Sequence, residues 1–347
     1  MPERWVDSGV AGLRAEVCQV QSTRQEFALL FGTQAGASAK LERRILVSPL
    51  LAKQLAAALA GALGDPNASP AGTTQSAATD ADAPRAARPM LAQVRALNVG
   101  FGFEKSFKLS AQSLLDERVI LGVRTALADP LALLKICREI GMPQAQLAQF
   151  EARLPESNTV GFGFEGNARG GGFKVYLEFW DRLRARIQQD PGNVEPALLF
   201  LGFKWDARGA KDGILARYTC YPRLSVKGIL RRLAALYGDD SPSAAAAREI
   251  IALAQARIAR DDSFVYVEAE EEGNPRRSFD LNLYKAGLRV ADLQLPLSRL
   301  CESYSISKAQ FESLLKECAA RPFGHLSGGL GREGEDFLTV YYEIEGL

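Results

Sequence analysis

The chain has 347 residues, with 42 Lys and Arg against 41 Asp and Glu, one histidine and five cysteines. This near-neutral balance gives no electrostatic case for nucleic acid or an anionic membrane surface, so any positive site has to be local. One histidine cannot build a His-rich metal centre, and the odd, scattered cysteines without CxxC spacing read as reduced thiols of a cytoplasmic protein.

No run approaches the ~20 apolar residues of a membrane helix. The opening MPERWVDSGVAGLRAE lacks the basic-then-apolar layout of a secretory signal. Within residues 1–63, the stretches EVCQVQ, EFALLFG and LERRILVS predict three short strands. Ser48-Pro49 then predicts a helix start, continued by LLAKQLAAALAGAL. This β-β-β-α pattern, with RILVSPLLAK from Arg44 to Lys53, resembles the bacterial DUF3467 domains, a family of uncharacterised function. The resemblance implies a fold and no catalytic residues. Residues 64–92 are rich in Ala, Pro, Ser, Thr and Asp and poor in large apolar residues, and are expected to form a flexible linker.

Residues 93–347 carry about five hairpin-like units separated by helical stretches. The first pairs LNVGFGFE with RVILGVRTAL; an Asp-Pro helix start and PQAQLAQFEARL follow. The second, VGFGFEGNARGGGFKVYLEFW at 160–180, repeats the VGFGFE of 99–104. The third is LLFLGFKWDARGAKDGILARYTCYP, and the fourth joins DSFVYVEAE to RRSFDLNLYKA. The fifth runs from PFGHLSGG to FLTVYYEIEGL, and His325 reads there as a solvated or structural residue of a glycine-rich loop.

Alternation assigns Val175/Leu177, Leu201/Phe203, Leu281/Leu283 and Leu338/Val340 to an apolar outer face. It assigns Lys174/Tyr176/Glu178, Lys204/Asp206, Asp280/Asn282/Tyr284 and Thr339/Tyr341/Glu343 to an inner one. A ββα unit repeated in this way predicts an α+β fold: a closed antiparallel barrel of about ten strands ringed by helices, wider than the ~8-strand case that side chains fill. An open sheet with one wet face fits the same alternation.

This repeat, together with GGFKVYLEF at 171–179 and DLNLYKA at 280–286, resembles the ABBA-type (PT-barrel) aromatic prenyltransferases, including soluble bacterial and cyanobactin-type members. The resemblance implies a barrel fold and transfer of a prenyl group from an allylic diphosphate (dimethylallyl or geranyl) to an aromatic or peptide acceptor. Lys174 and Tyr176, two apart, would face the diphosphate, and Tyr284 would point inward from its strand.

The residue chemistry fits independently. A diphosphate leaving group needs converging cations and phenolic donors, for which Lys174, Lys204, Arg217, Tyr176 and Tyr284 are candidates. Tyr221 and Tyr341 would help to shield an allylic cation. Glu178, Glu165 and Glu104 are candidates to orient the acceptor or take its proton. No DDxxD motif appears, which argues against the metal-dependent helical prenyltransferases; no cofactor is required, and Mg is allowed without being indicated.

Blander roles stand beside these. Lys174 with Glu178, or Arg217 with Asp206, would equally make surface pairs, and the tyrosines suit strands for their propensity alone. The glycines of VGFGFE fit close strand packing. GNARGGG joins two strands and precedes no helix, so it is not a nucleotide-binding loop. A non-catalytic peptide- or ligand-binding protein of the same architecture is the alternative function.

Overall fold

A computed structural model describes the backbone of three strands within residues 17–47 and residues 80–345 apart from 168–169, 191, 193–194, 210–211, 239 and 259–263. The chain divides into two compact units, Met1–Thr74 and Gln75–Leu347. In the first, β1 (Val17–Ser22), β2 (Phe27–Ala35) and β3 (Ser38–Val47) form an antiparallel sheet in sequence order. The helix expected from Ser48-Pro49 lies outside the described residues, as do residues 64–79 of the expected linker.

The second unit begins earlier than composition indicates. Helix α1 (Arg88–Ala96) buries Met90, Leu91 and Val94, and Ala83 and Ala87 are buried just before it. Residues 83–92 are therefore not linker. Small alanines on a helical turn, followed by an Arg-Pro start, pack as well as larger residues would when the groove beneath is shallow.

The rest is β4 (Phe101–Ser110), β5 (Ser113–Leu115), β6 (Arg118–Arg124), α2 (Pro130–Glu139), α3 (Gln144–Arg153), β7 (Thr159–Glu165), β8 (Gly172–Glu178), α4 (Trp180–Gln189), β9 (Ala197–Asp206), β10 (Ile214–Tyr221), α5 (Val226–Tyr237), α6 (Pro242–Gln255), β11 (Val265–Glu271), β12 (Arg277–Asn282), α7 (Gln294–Ser303), α8 (Lys308–Cys318), β13 (Phe323–Leu330) and β14 (Asp336–Glu345). Each long strand pairs antiparallel with the next, and β14 returns to pair with β4 from Phe337↔Ser110 to Glu345↔Phe103. The result is a closed ten-stranded barrel, with short β5 alongside β6 on the other edge of β4. Closure leaves no bare barrel edge, which an open sheet would have.

Local chemistry starts the helices where expected. Asp129 accepts from the Leu131 N–H ahead of Pro130, and Ser225, Ser241 and Ser307 cap α5, α6 and α8. The helices cover the outer strand faces in two patches. Those of α1–α3 pack on Phe103, Phe162, Val175 and Phe203, and those of α5–α8 on Phe107, Phe279, Leu326 and Val340. Each such buried side chain contributes about 1.5–3 kcal/mol by leaving water. In the repeated VGFGFE the phenylalanines Phe101, Phe103, Phe162 and Phe164 point to this outer core, so the glycines between them face inward.

Because the strands alternate in direction, the direct links β7–β8, β9–β10, β11–β12 and β13–β14 all lie at one end of the barrel. The helix-bearing links lie at the other. Among the described residues no helix is long and apolar enough to cross a membrane.

Candidate active site

The barrel encloses a cavity of about 1340 Å³. That volume exceeds what a compact ligand site needs and admits two molecules together. Its lining includes Lys174, Tyr176, Glu178, Lys204, Asp206, Asp280, Asn282, Tyr284, Thr339, Tyr341 and Glu343, the whole inner face expected from alternation, together with Glu104 and Glu165.

Two expected site residues lie elsewhere. Arg217 is 58% exposed and pairs with Glu272 at 3.2 Å, not with Asp206, which binds Arg208. On β10 the cavity side is taken by Ile214 and Tyr218, and Arg217 falls on the opposite face. A bulge between Tyr218 and Thr219 then shifts the register, and Tyr221 lies outside the cavity, under the Arg232 guanidinium at 3.7 Å and against Tyr266. Tyr284 reaches the cavity from a 3₁₀ turn (Tyr284–Ala286) beyond β12, not from the strand itself. His325 is not a loop residue: it sits in β13, opposite Tyr341 and Asn282, and lines the cavity.

Toward the end with the direct links, five cations converge: Lys108 on β4, Arg118 on β6, Lys174 on β8, Lys204 on β9 and Arg276 just before β12. Lys174 and Lys204 are cross-strand neighbours, as are Glu165 and Arg118. Two carboxylates hold this group together. Glu165 accepts from Arg118 and Lys174, so Lys174 has Glu165 and not Glu178 as its ion-pair partner. Glu271, 2% exposed, accepts from Lys204 at 2.8 Å, Arg276 at 3.0 Å and Arg332 at 2.9 Å. A rim of Asp206, Asp212, Glu333 and Glu335 lies beyond them.

The electrostatics follow from this crowding. Burial would raise Glu165 and Glu271, yet their cationic partners (Arg118 and Lys174 for one, Lys204 and Arg276 for the other) hold both well below the usual carboxylate range. Burial, with Arg118 and Arg276 nearby, lowers Lys108 to about 8. Burial and the neighbouring Lys204 and Arg118 outweigh Glu165 at Lys174 and depress it well below 10.5. Cations outnumber carboxylates in this layer, so it is poised for an anion.

The middle of the cavity is aromatic. Tyr176 and Phe200 each meet the Tyr218 ring edge-on, at 5.7 and 6.0 Å. Lys204 Nζ stands 5.6 Å above the Tyr218 ring, and Trp180, Leu199, Val265 and Val267 complete an apolar wall. The paired glycines Gly102, Gly122 and Gly161 leave that level open on the facing strands. A Cβ on Gly202 would come within 3.0 Å of the Tyr218 ring and 3.1 Å of the Tyr176 ring, so glycine there seats both rings.

Toward the end with the helical links the sign reverses. Glu104, Glu178, Asp280 and Glu343 line this part, and His325 lies among them. The His325 Nδ1 is 3.0 Å from Asp280 Oδ1 and its Nε2 is 3.7 Å from Glu104 Oε1. The Tyr284 hydroxyl donates to the same Glu104 oxygen. Burial disfavours the imidazolium, but Asp280 and Glu104 outweigh it and raise His325 to about 9. Burial raises Glu178, against a hydrogen bond from Thr159, and burial with Glu104 raises Glu343.

No protein-family model and no curated protein matches the chain. Solved structures do. One is 6-dimethylallyltryptophan synthase from Micromonospora olivasterospora in complex with DMASPP and Trp, at 18% identity, TM-score 0.48, covering 70% of this chain and 81% of that one. Another is the prenyltransferase PriB in a ternary complex with L-tryptophan and dimethylallyl thiolodiphosphate, at 14% identity and TM-score 0.49, covering 78% and 92%. A third is 5-dimethylallyltryptophan synthase from Streptomyces coelicolor, at 14% identity and TM-score 0.48, covering 85% and 92%. At such identities no residue's role transfers, and the cavity's own side chains must carry the chemistry.

Proposed function

We propose that this protein transfers an allylic prenyl group from its diphosphate to an electron-rich aromatic acceptor, either a small molecule or a peptide side chain. The observation that carries this reading is the layering of one cavity: cations, then aromatic faces, then carboxylates. The resemblance to ABBA-type prenyltransferases implies the same chemistry.

Lys108, Arg118, Lys174, Lys204 and Arg276 would bind the diphosphate and stabilise the charge that grows on it as the allylic C–O bond breaks. Tyr176, Tyr218 and Tyr341 would offer hydroxyl donors there, and the Tyr176, Tyr218 and Phe200 rings would face the allylic cation and keep water from capturing it. Glu165 and Glu271, tied to the cations, act as counter-ions in this picture and not as bases. The acceptor would lie against the carboxylate layer, where Glu104 or Glu178 takes the proton released when the new bond forms.

The test is incubation with dimethylallyl or geranyl diphosphate and a panel of tryptophan, tyrosine, simple phenols and peptides containing them, followed by mass spectrometry and pyrophosphate release. A prenyl mass shift that Lys204→Met abolishes in a folded protein supports the assignment. Tight pyrophosphate binding with no transfer to any acceptor would favour the binding-protein alternative.

A further inference from the structure

The only histidine of the chain, His325, lies in the cavity and is held by groups from four other elements. Its Nδ1 faces Asp280 Oδ1 on β12 at 3.0 Å, and its Nε2 faces Glu104 Oε1 on β4 at 3.7 Å. The Tyr284 ring meets the imidazole edge-on at 5.4 Å, and the Tyr341 ring does so at 6.0 Å. The Tyr284 hydroxyl in turn donates to Glu104 Oε1. Tyr284 is itself fixed, because its ring lies over the bare backbone of Gly324, where a Cβ would approach the hydroxyl oxygen to 2.6 Å.

Tyr284 and His325 thus address the same oxygen of Glu104. No interaction among the described residues occupies Oε2. Building on the proposed prenyl transfer, we infer that His325, anchored by Asp280 and assisted by Tyr284, is a positioning residue that presents Glu104 Oε2 to the acceptor as the proton acceptor. In that step the allylic C–O bond breaks and its electron pair leaves with the diphosphate. The acceptor carbon forms a C–C bond to the allylic carbon, and its displaced proton passes to Glu104 Oε2. His325 never touches the acceptor; its function is to hold one oxygen so that the other points into the cavity.

The histidine is held as an imidazolium by its surroundings. The titratable groups facing it are Asp280 on β12, Tyr284 beyond it, Glu104 on β4, Glu178 on β8, and Tyr341 and Glu343 on β14. Only as an imidazolium does it donate to Asp280 through Nδ1 and at the same time turn a charged Nε2–H toward Glu104. Its raised value of about 9 keeps that form through neutral pH.

Because there is one histidine, its ring nitrogens can be followed by NMR on uniformly labelled protein without assignment ambiguity. The expected midpoint is near 9 in the native protein, falling in Glu104→Gln and in Asp280→Asn. A midpoint near 6.5 that neither substitution moves overturns the inference. The functional arm compares His325→Gln, whose amide nitrogen replaces Nε2, with His325→Asn, which retains a donor only toward Asp280. At saturating dimethylallyl diphosphate and acceptor, His325→Asn is expected to lower transfer kcat at least tenfold with pyrophosphate affinity unchanged. His325→Gln is expected to retain most of kcat and to lose the alkaline limb near pH 9. Equal kcat and equal pH profiles in native and His325→Asn protein would refute positioning while leaving prenyl transfer standing. Absence of pyrophosphate binding and of transfer in the native protein would refute prenyl transfer itself. Tyr284→Phe, which retains the ring on Gly324, is the second variant should His325→Asn fail to fold; it is expected to lower kcat without moving the alkaline limb.

Discussion

Lys174→Met separates binding from stability. Lys174 lies beside Lys204 across the β8–β9 ladder and donates to Glu165, which also binds Arg118. Removing the ammonium takes one charge-assisted contact from a bound diphosphate, and hydrogen bonds to charged groups contribute about 1.5–3 kcal/mol. Pyrophosphate affinity should therefore fall roughly 10- to 150-fold. Stability should not follow. Breaking a buried pair is costly when the remaining ion has no partner, but Glu165 keeps Arg118. The lysine itself folds into a crowd of cations that depresses it well below 10.5. Between that depressed value and 10.5 the unfolded chain binds a proton that the folded one does not, so native stability rises with pH across this window. Methionine removes this slope and the burial cost of the charge. The assay is isothermal titration with pyrophosphate alongside thermal melts from pH 6 to 10. A variant that binds like the native protein, or one that loses more than about 2 kcal/mol at pH 7, would show that Lys174 serves the fold through Glu165 and not the anion.

Other outcomes follow from the same geometry. Because Lys108 titrates near 8 beside Arg118 and Arg276, a bound polyanion should restore its proton; titration at pH 8.5 in buffers of different ionisation enthalpy should report net proton uptake, and release would contradict the layer's makeup. Gly202→Val should displace the Tyr176 and Tyr218 rings, which already lie about 3 Å from the position of a Cβ, and should reduce transfer more with geranyl than with dimethylallyl diphosphate while pyrophosphate still binds. Arg217→Ala removes an exposed pair with Glu272; it should leave transfer unchanged and shift stability by less than about 1 kcal/mol, and a tenfold loss of activity would return Arg217 to the site. Phe279→Ala, at a fully buried position stacked on Tyr266, should cost about 3–5 kcal/mol in chemical denaturation.

Alternation alone gives the inner faces of β8, β9, β12 and β14, because a strand with a wet inner face and a dry outer face states its phase in every second residue. It failed where one of those conditions lapsed. On β6, RVILGVR, the inward Ile120 and Gly122 are as apolar as the outward Val119 and Leu121, and this hid the inward phase of Arg118. On β10 both Ile214 and Leu215 are apolar and the bulge after Tyr218 is invisible in one dimension, so the sequence points Arg217 and Tyr221 inward in place of Tyr218. Arg276 and Arg277 stand side by side, and only the geometry of the preceding link sends the first inward. His325 was obscured by its glycines: Gly324, Gly328 and Gly329 read as a loop, whereas Gly324 is there so that Tyr284 can lie against the strand.

The sorting of charge within the barrel is itself encoded along the chain. On β8, Lys174 precedes Glu178 by four residues, and on the run into β12, Arg276 precedes Asp280 by four. On β4, which runs the opposite way, the order is reversed, with Glu104 four residues before Lys108. Arg118 opens β6, parallel to β8, and Lys204 comes late in β9, parallel to β4. Every strand that contributes a lysine or arginine to the cavity therefore contributes it at the same end, whichever way the strand runs. Solvated surface pairs on an open sheet have no reason to reverse with strand direction, since each pair is satisfied locally. A cavity that must bring several cations to one anion, with the carboxylates among them already tied to cations, does have such a reason. Exchanging the two ends of a single strand, as in the double variant Lys174→Glu with Glu178→Lys, preserves composition and net charge. It should nonetheless abolish pyrophosphate binding, because it places a carboxylate beside Lys204 and Glu165 and an ammonium among the acids. Binding that survives the exchange would mean that net charge matters and its position along the barrel does not.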